Sequence, residues 1–291
     1  IDGDLTSSIV KGGTFVDTAT IGDYTVAYTA TDVAGNISTA TRAVNVVTPP
    51  APEKIVLVTT TINTNTTLTV GEYNYDNLII TNNATLTLES NPNSVNSFKG
   101  VKITAKNITV ENGSSISSNG KGYLGGPGAP ATSEYFAGAS YGGIGDRNTL
   151  TPIYGSAKEP EDLGSGGNGY YYHGGGAIRL VVSDTLLNNG IISTNGDATS
   201  TGGSIYVTSK NISGDGIFSA NGGNFHLGAT VYGPGGGGRI AIYYEDSSFT
   251  GRAEAKGGCV SYNGGYSQTC VGNGTVGFFD TANNNFTTNT S

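Results

Sequence analysis

Two stretches near the start of the chain alternate strictly between apolar and polar positions. In DYTVAYTATD (23–32), Tyr24, Val26 and Tyr28 fall on one face and Thr25, Ala27 and Thr29 on the other. NISTATRAVNVV (36–47) repeats the alternation after Val33-Ala34-Gly35. A period of two predicts half-buried strands, and the glycine-containing break predicts a tight turn between them. From residue 55 the pattern changes to short apolar runs punctuated by Gly and Asn. LIITNNATLTL (78–88) predicts two strands around Asn82-Asn83.

A longer unit then begins at GVKITAKNITVENGSSISSNGKG (100–122). It returns at 174–197 and 202–223, more loosely at 236–258, and breaks off at GTVGFFD (274–280). Each copy runs glycine turn, apolar strand, polar corner, a residue pair around Gly, a second short strand, then Asn-Gly or Gly-Gly. Aligning Ile178, Ile205, Ile240 and Val276 gives steps of 27, 35 and 36 residues. One pattern recurring at such intervals marks a solenoid. With strands this short and no helical periodicity, the solenoid is expected to be a parallel β-helix. Stacked coils place Ile103, Ile178, Ile205 and Ile240 in one inward ladder. Ile116, Ile192, Ile217 or Phe218, and Ala253 or Ala255 fall in another. Glycine serves corners that need φ > 0 and close approach of backbones. Parallel crossovers are strongly biased to one hand, so a right-handed coil is expected.

Composition agrees. Of 291 residues, 47 are Gly, Met and Trp are absent, and only 12% are charged. The bulky residues are mostly Val, Ile, Tyr and Phe, which suit a pleated surface, while Gly, Asn and Asp suit turns. The formal net charge of −8 and the scattered Lys and Arg argue against a nucleic-acid partner, which requires a basic stripe. No apolar run reaches the length of a membrane span, so this segment is not expected to insert into a bilayer.

Cys259 and Cys270 bracket CVSYNGGYSQTC, with Asn263-Gly264-Gly265 as a turn between them. A metal site wants more ligands nearby, and the only histidines are His173 and His226. A disulfide is the preferred reading over two unpaired thiols, and it implies an oxidising, extracellular setting. Nine Asn-x-Ser/Thr sequons permit glycosylation without arguing for it, because a chain this rich in Asn, Ser and Thr produces several by chance.

The opening segment, IDGDLTSSIV followed by IGDYTVAYTATDVAGNISTATRAVNVV, resembles the second half of a bacterial Ig-like repeat of the HYR-related type. Such repeats occur in tandem on secreted surface proteins. About 48 residues are present, whereas an Ig-type sandwich takes on the order of 80–100. The resemblance therefore implies a partial Ig-like β-sandwich over 1–48, followed by a Pro-rich linker at 49–54 and the β-helix at 55–291. GGGAIRL, FSANGG and GGGGRIAIYY, within residues 100–280, resemble a loosely defined group of glycine-rich β-helix surface proteins, mostly bacterial. That resemblance implies an extended, stalk-like or adhesive extracellular role and no established activity.

The main departure from the repeat is an insertion at 121–174. Loops of that length are usually functional or disordered. It carries Tyr141, Tyr154, Tyr170, Tyr171, Tyr172 and His173 together with Asp146, Glu159, Glu161 and Asp162. Aromatic faces beside carboxylates suit sugar rings, so these ten residues are the glycan-contact candidates. The competing expectation is that the aromatics pack the loop onto the flank of the solenoid. Glu159, Glu161 and Asp162 would be the carboxylates of a hydrolase, but Glu159-Pro160-Glu161-Asp162 reads first as a solvated turn. Arg179 and Arg239 sit in or beside the recurring strand, where a structural or surface role is simpler. Asp2, Asp4 and Asp32 are weak Ca²⁺ candidates, with no other cofactor expected. The runs at 174–176 and 235–238 lack the Lys-Ser/Thr of a phosphate loop.

The expectation is a non-catalytic structural or adhesive stalk segment of a larger cell-surface protein, meeting an extracellular glycan or protein. The alternatives are a β-helical polysaccharide lyase or hydrolase, and a filament subunit that self-associates by strand exchange at the incomplete Ig-like half.

Overall fold

The computed structural model describes residues 4–47, 58–93, 98–130, 137–146, 152–167, 172–226, 233–262 and 267–289. Contacts divide the chain into two compact units, Ile1–Val56 and Leu57–Ser291.

The first unit is one antiparallel sheet of β1 (Val10–Gly13), β2 (Gly22–Thr31) and β3 (Ile37–Val46), in that order. The two alternating stretches of sequence become β2 and β3, with Val26 the buried residue between them. Gly35 takes φ +86° in the turn. The Asp32 carboxylate closes that turn by accepting from the Ala34 and Asn36 amides at 2.9 and 2.7 Å and from Asn36 Nδ2 at 2.7 Å. The described residues of this unit form this one sheet, so the expected sandwich is represented by a single layer. Val10, Phe15, Ile21 and Ile37 are correspondingly exposed.

The second unit alternates between two parallel sheets. Its strands begin with β4 (Thr59–Ile62), β5 (Thr66–Leu68), β6 (Gly71–Ile80), β7 (Thr85–Leu88), β8 (Val101–Val110) and β9 (Ser115–Ser117). They continue with β10 (Ala177–Asn188), β11 (Ile191–Ser193), β12 (Ser204–Gly214), β13 (Ile217–Ser219), β14 (Phe225–His226) and β15 (Arg239–Phe249). The last are β16 (Arg252–Glu254), β17 (Cys259–Tyr262), β18 (Ser267–Cys270), β19 (Thr275–Asp280) and β20 (Asn285–Asn289). The larger sheet runs β20-β19-β15-β12-β10-β8-β6-β4 and the smaller β16-β13-β11-β9-β7-β5. Every pairing in the two sheets is parallel except β20 on β19. Each pass through the larger sheet from β4 to β15 is followed by a short strand of the smaller one, and successive passes stack.

The core lies between the sheets. Ile178, Ile205, Ile240 and Val276 stand in one register, matching their spacing in the sequence. Val101, not Ile103, joins that row; Ile103 pairs with Leu180. The two-residue offset leaves both side chains pointing inward, because the side-chain period is two. The pairing of Ile178 with Val101 is already in place ahead of the one-residue irregularity between Val182 and Thr185, so matching isoleucines by type misjudges where the strand begins. In the smaller sheet the row is Leu86, Ile116, Ile192, Phe218 and Ala253, which resolves the open pairs in favour of Phe218 and Ala253. The bend midway along the long strands is lined by amides: Asn107 donates to Asn77 at 2.9 Å, the Thr185 amide to Asn107 at 3.1 Å, and Asn211 to Asp184 at 3.1 Å.

Of the two reasons expected for the glycine runs, close approach of backbones holds and positive φ does not. None of Gly174, Gly175, Gly176, Gly235, Gly236, Gly237 or Gly238 has positive φ. They lie where backbone meets backbone. A Cβ on Gly175 would sit 1.9 Å from the Thr194 carbonyl oxygen, and one on Gly237 2.0 Å from that of Ala255.

The tail that completes no obvious coil in the sequence turns back as β20, antiparallel to β19. The Asp280 carboxylate holds this turn through the Asn283 amide and side chain, each at 2.9 Å. Among the described residues no helix is long and apolar enough to cross a membrane.

Candidate functional site

The insertion folds inward. Tyr141 and Tyr154 do so because each phenol finds a polar partner, Tyr141 on a distant strand and Tyr154 within the insertion itself. Tyr141 is fully buried, and its hydroxyl meets Ser204 Oγ of β12 at 2.6 Å. Its ring packs on that of Tyr154 with centroids 4.5 Å apart. The Tyr154 hydroxyl donates to the Leu163 carbonyl at 2.6 Å and lies 2.8 Å from Ser165 Oγ. Burial pushes both phenols well above their ordinary pKa. These two candidates therefore pack the loop and offer no open ring to a sugar.

Arg239, at the head of β15, completes the arrangement. Only 5% exposed, it donates from Nε and Nη2 to the Tyr154 carbonyl at 3.0 and 2.8 Å and from Nη1 to Thr275 at 3.3 Å. Its guanidinium lies 5.4 Å from the Tyr141 ring centre, a cation–π geometry. No carboxylate among the described residues pairs with it. Arg239→Lys keeps the charge but loses the two-pronged grip on the carbonyl. That change is expected to cost about 1–3 kcal/mol in denaturant unfolding, with amide exchange rising first over residues 152–167.

The remaining candidates are spread out. Glu161 pairs with Arg179, whose guanidinium lies 5.0 Å from the Tyr206 ring centre. Glu159 and Asp162 are exposed, while Pro160 between them is buried, so only the ends of the expected solvated turn face water. Asp146 is tied through its backbone to Pro234 and Gly138. His173 is half-buried, with its amide 3.2 Å from the Asp197 carboxylate, and Tyr172 is half-buried nearby. Tyr170 and Tyr171 lie outside the described residues, as does Asp2. The carboxylates of Asp4 and Asp32 are taken up by their own turns, Asp4 by the amide and hydroxyl of Thr6. Among the described residues no three of His, Cys, Asp and Glu gather at one point.

A feature missed by sequence reasoning lies on the outer face of the larger sheet. Tyr206 meets Tyr243 edge-on at 5.8 Å, Tyr243 stacks on Phe279 at 4.3 Å, and Phe279 faces Phe286 at 6.4 Å. An open cleft of about 360 Å³ runs beside this row across successive strands, lined by Tyr206, Thr208, Ser209, Lys210, Tyr243 and Glu245 among others. The signal was present in IYV, IYY and GFF, where each pass places an aromatic beside its inward residue.

Cys259 and Cys270 form a disulfide across the antiparallel pair β17–β18. It closes a separation of 11 residues, for which the chain-entropy account gives about 3 kcal/mol. Reduction is expected to speed amide exchange in β17 and β18 while β12 and β15 stay protected.

Residues 1–46 match a family model described as a bacterial surface protein, Ig-like domain. No curated protein and no solved structure matches the chain. The first unit is thus similar to the Ig-like domain of bacterial surface proteins, and with the disulfide this match points to a cell-surface or extracellular protein.

Proposed function

We propose that this chain is a non-catalytic structural and adhesive segment of a cell-surface protein, built on a right-handed parallel β-helix in its second unit. The observation that carries the reading is the stack of parallel passes whose inward rows keep register from Val101 to Val276. Such stacking builds length and repeated outer surface without a central pocket. The Ig-like match over residues 1–46 supplies the surface setting.

Glycan contact belongs, in this reading, to the outer cleft beside Tyr206 and Tyr243, where hydroxyls, an amine and a carboxylate stand next to aromatic edges. A glycan array with the full chain and with Tyr243→Ala tests it. Retention on particular glycans, weakened by the substitution and without release of reducing or unsaturated ends, supports the proposal; turnover of a polysaccharide overturns it.

One observation favours self-association as a second reading: the apolar side chains left open on the three-stranded sheet, Val10 and Ile37, with Phe15 86% exposed in the loop after β1. An exposed sheet edge is a template for another strand. Removing residues 4–47 is then expected to convert polymers into soluble monomer, measured by sedimentation.

A further inference from the structure

Six Asn-Gly pairs fall within the described residues, and the fold treats one of them differently. In five, the glycine N–H that would attack the asparagine side chain is already committed. Gly120 donates to the Asn195 carbonyl at 2.9 Å, Gly196 to Asn221 at 2.9 Å, Gly222 to Lys256 at 2.8 Å and Gly274 to Ala255 at 2.7 Å. Gly190 donates to Asn188 Oδ1 at 3.2 Å. The asparagines themselves are pinned as well. The side-chain oxygens of Asn119, Asn195, Asn221 and Asn273 accept backbone amides at 2.6–2.9 Å, and that of Asn189 accepts the Asp215 amide at 3.3 Å.

Asn112-Gly113 is the exception. The pair sits at the centre of the turn from β8 to β9, closed by the Ser114 amide on the Glu111 carbonyl at 3.0 Å. Gly113 has φ +82°, as the third residue of a type II turn does. The Asn83 side chain lies against Gly113, its Oδ1 2.1 Å from where a Cβ would stand. Asn112 and Gly113 are both exposed, and neither the Asn112 side chain nor the Gly113 N–H has a hydrogen-bond partner among the described residues.

We propose that Asn112 is a site of spontaneous deamidation in the folded protein. Hydroxide removes the Gly113 amide proton, and the nitrogen attacks Asn112 Cγ. The new bond closes a five-membered succinimide and the side-chain nitrogen leaves as ammonia. Water then opens the ring at either carbonyl, leaving aspartate or isoaspartate at position 112. The product adds a negative charge beside Glu111 and on the polar cleft that Asn112 shares with Asn189 and Asp215. A long-lived extracellular chain would accumulate this charge with age, whatever its partner.

To bring the Gly113 nitrogen onto Cγ, Asn112 need only swing out of its exposed turn, losing the Ser114–Glu111 bond. The five other pairs must also break the bonds on their glycine N–H and asparagine side chain. An opening cost of even about 1.4 kcal/mol lowers the reactive population about tenfold. The test is peptide mapping by mass spectrometry after incubation in mildly alkaline buffer. The protein is made in a host without N-glycosylation, because Asn112-Gly113-Ser114 is also a sequon. Asn112 is expected to convert at least about tenfold faster than Asn119, Asn195, Asn221 and Asn273 in the folded chain, with that advantage lost in urea. Conversion at Asn112 no faster than at the protected sites overturns the proposal. Asn112→Gln, which cannot close a five-membered ring, is expected to remove the early acidic species; their persistence also overturns it.

Discussion

Replacing Gly237 by alanine is expected to disrupt the later passes of the second unit. The added Cβ would lie 2.0 Å from the Ala255 carbonyl oxygen and 2.4 Å from the Gly274 nitrogen, both backbone atoms. Neither retreats by rotating a side chain. Gly237 also donates to the Gly272 carbonyl and accepts from the Gly142 and Gly143 amides, so moving it breaks bonds on both sides. Overpacking of a core commonly costs about 1–3 kcal/mol, and with those bonds strained the expected loss is at least about 3 kcal/mol, a large share of the margin of a typical domain. Gly125→Ala, in the same unit, is the matched control. It has ordinary φ and nothing within 4 Å of the new atom, so its effect is expected to be close to zero. Urea titrations of the two variants should separate them clearly; equal midpoints would mean that backbone contact is not why the glycine runs exist.

The second large effect is expected at Phe218. Its ring is fully buried, packs edge-on against Phe249 at 5.4 Å, and stands between Ile192 and Ala253 in the row of the smaller sheet. Phe218→Ala removes the bulk from a row whose next member is already an alanine, leaving a cavity that the strands cannot close. About 3–5 kcal/mol is expected for such a truncation. Calorimetry should then show a midpoint lower by on the order of 10 °C. Ile191, in the neighbouring short strand but turned outward and 43% exposed, is expected to lose far less on the same change to alanine.

The elements most legible in the sequence were those fixed by local alternation. β2 and β3, the row of Ile178, Ile205, Ile240 and Val276, and the disulfide partners all follow from patterns within a few residues or from a constant spacing. The placement of Ile103 did not, because Val101 and Ile103 both face inward from one strand and residue type alone does not say which of them joins the row of Ile178. The insertion was less legible still. Tyr141 and Tyr154 look like ligand-contact residues in isolation, and what turns them inward is Ser204 and Arg239, some 60 and 85 residues further along. Nothing in the spacing of the tyrosines announces those partners. The glycine runs were recognised as architectural, but their ordinary φ values can only be known once the facing backbone is in place.

The inserted segment also changes how the second unit should respond to load. A stack of passes that touch only their neighbours gives way one pass at a time. Here a single stretch is fastened to β10 through Glu161 and Arg179, to β12 through Tyr141 and Ser204, and to β15 through Tyr154 and Arg239, which in turn reaches Thr275 of β19. It acts as a rivet through four layers. Pulled from its ends, this part of the molecule should yield in one abrupt step, while the passes from β4 to β8 peel away gradually.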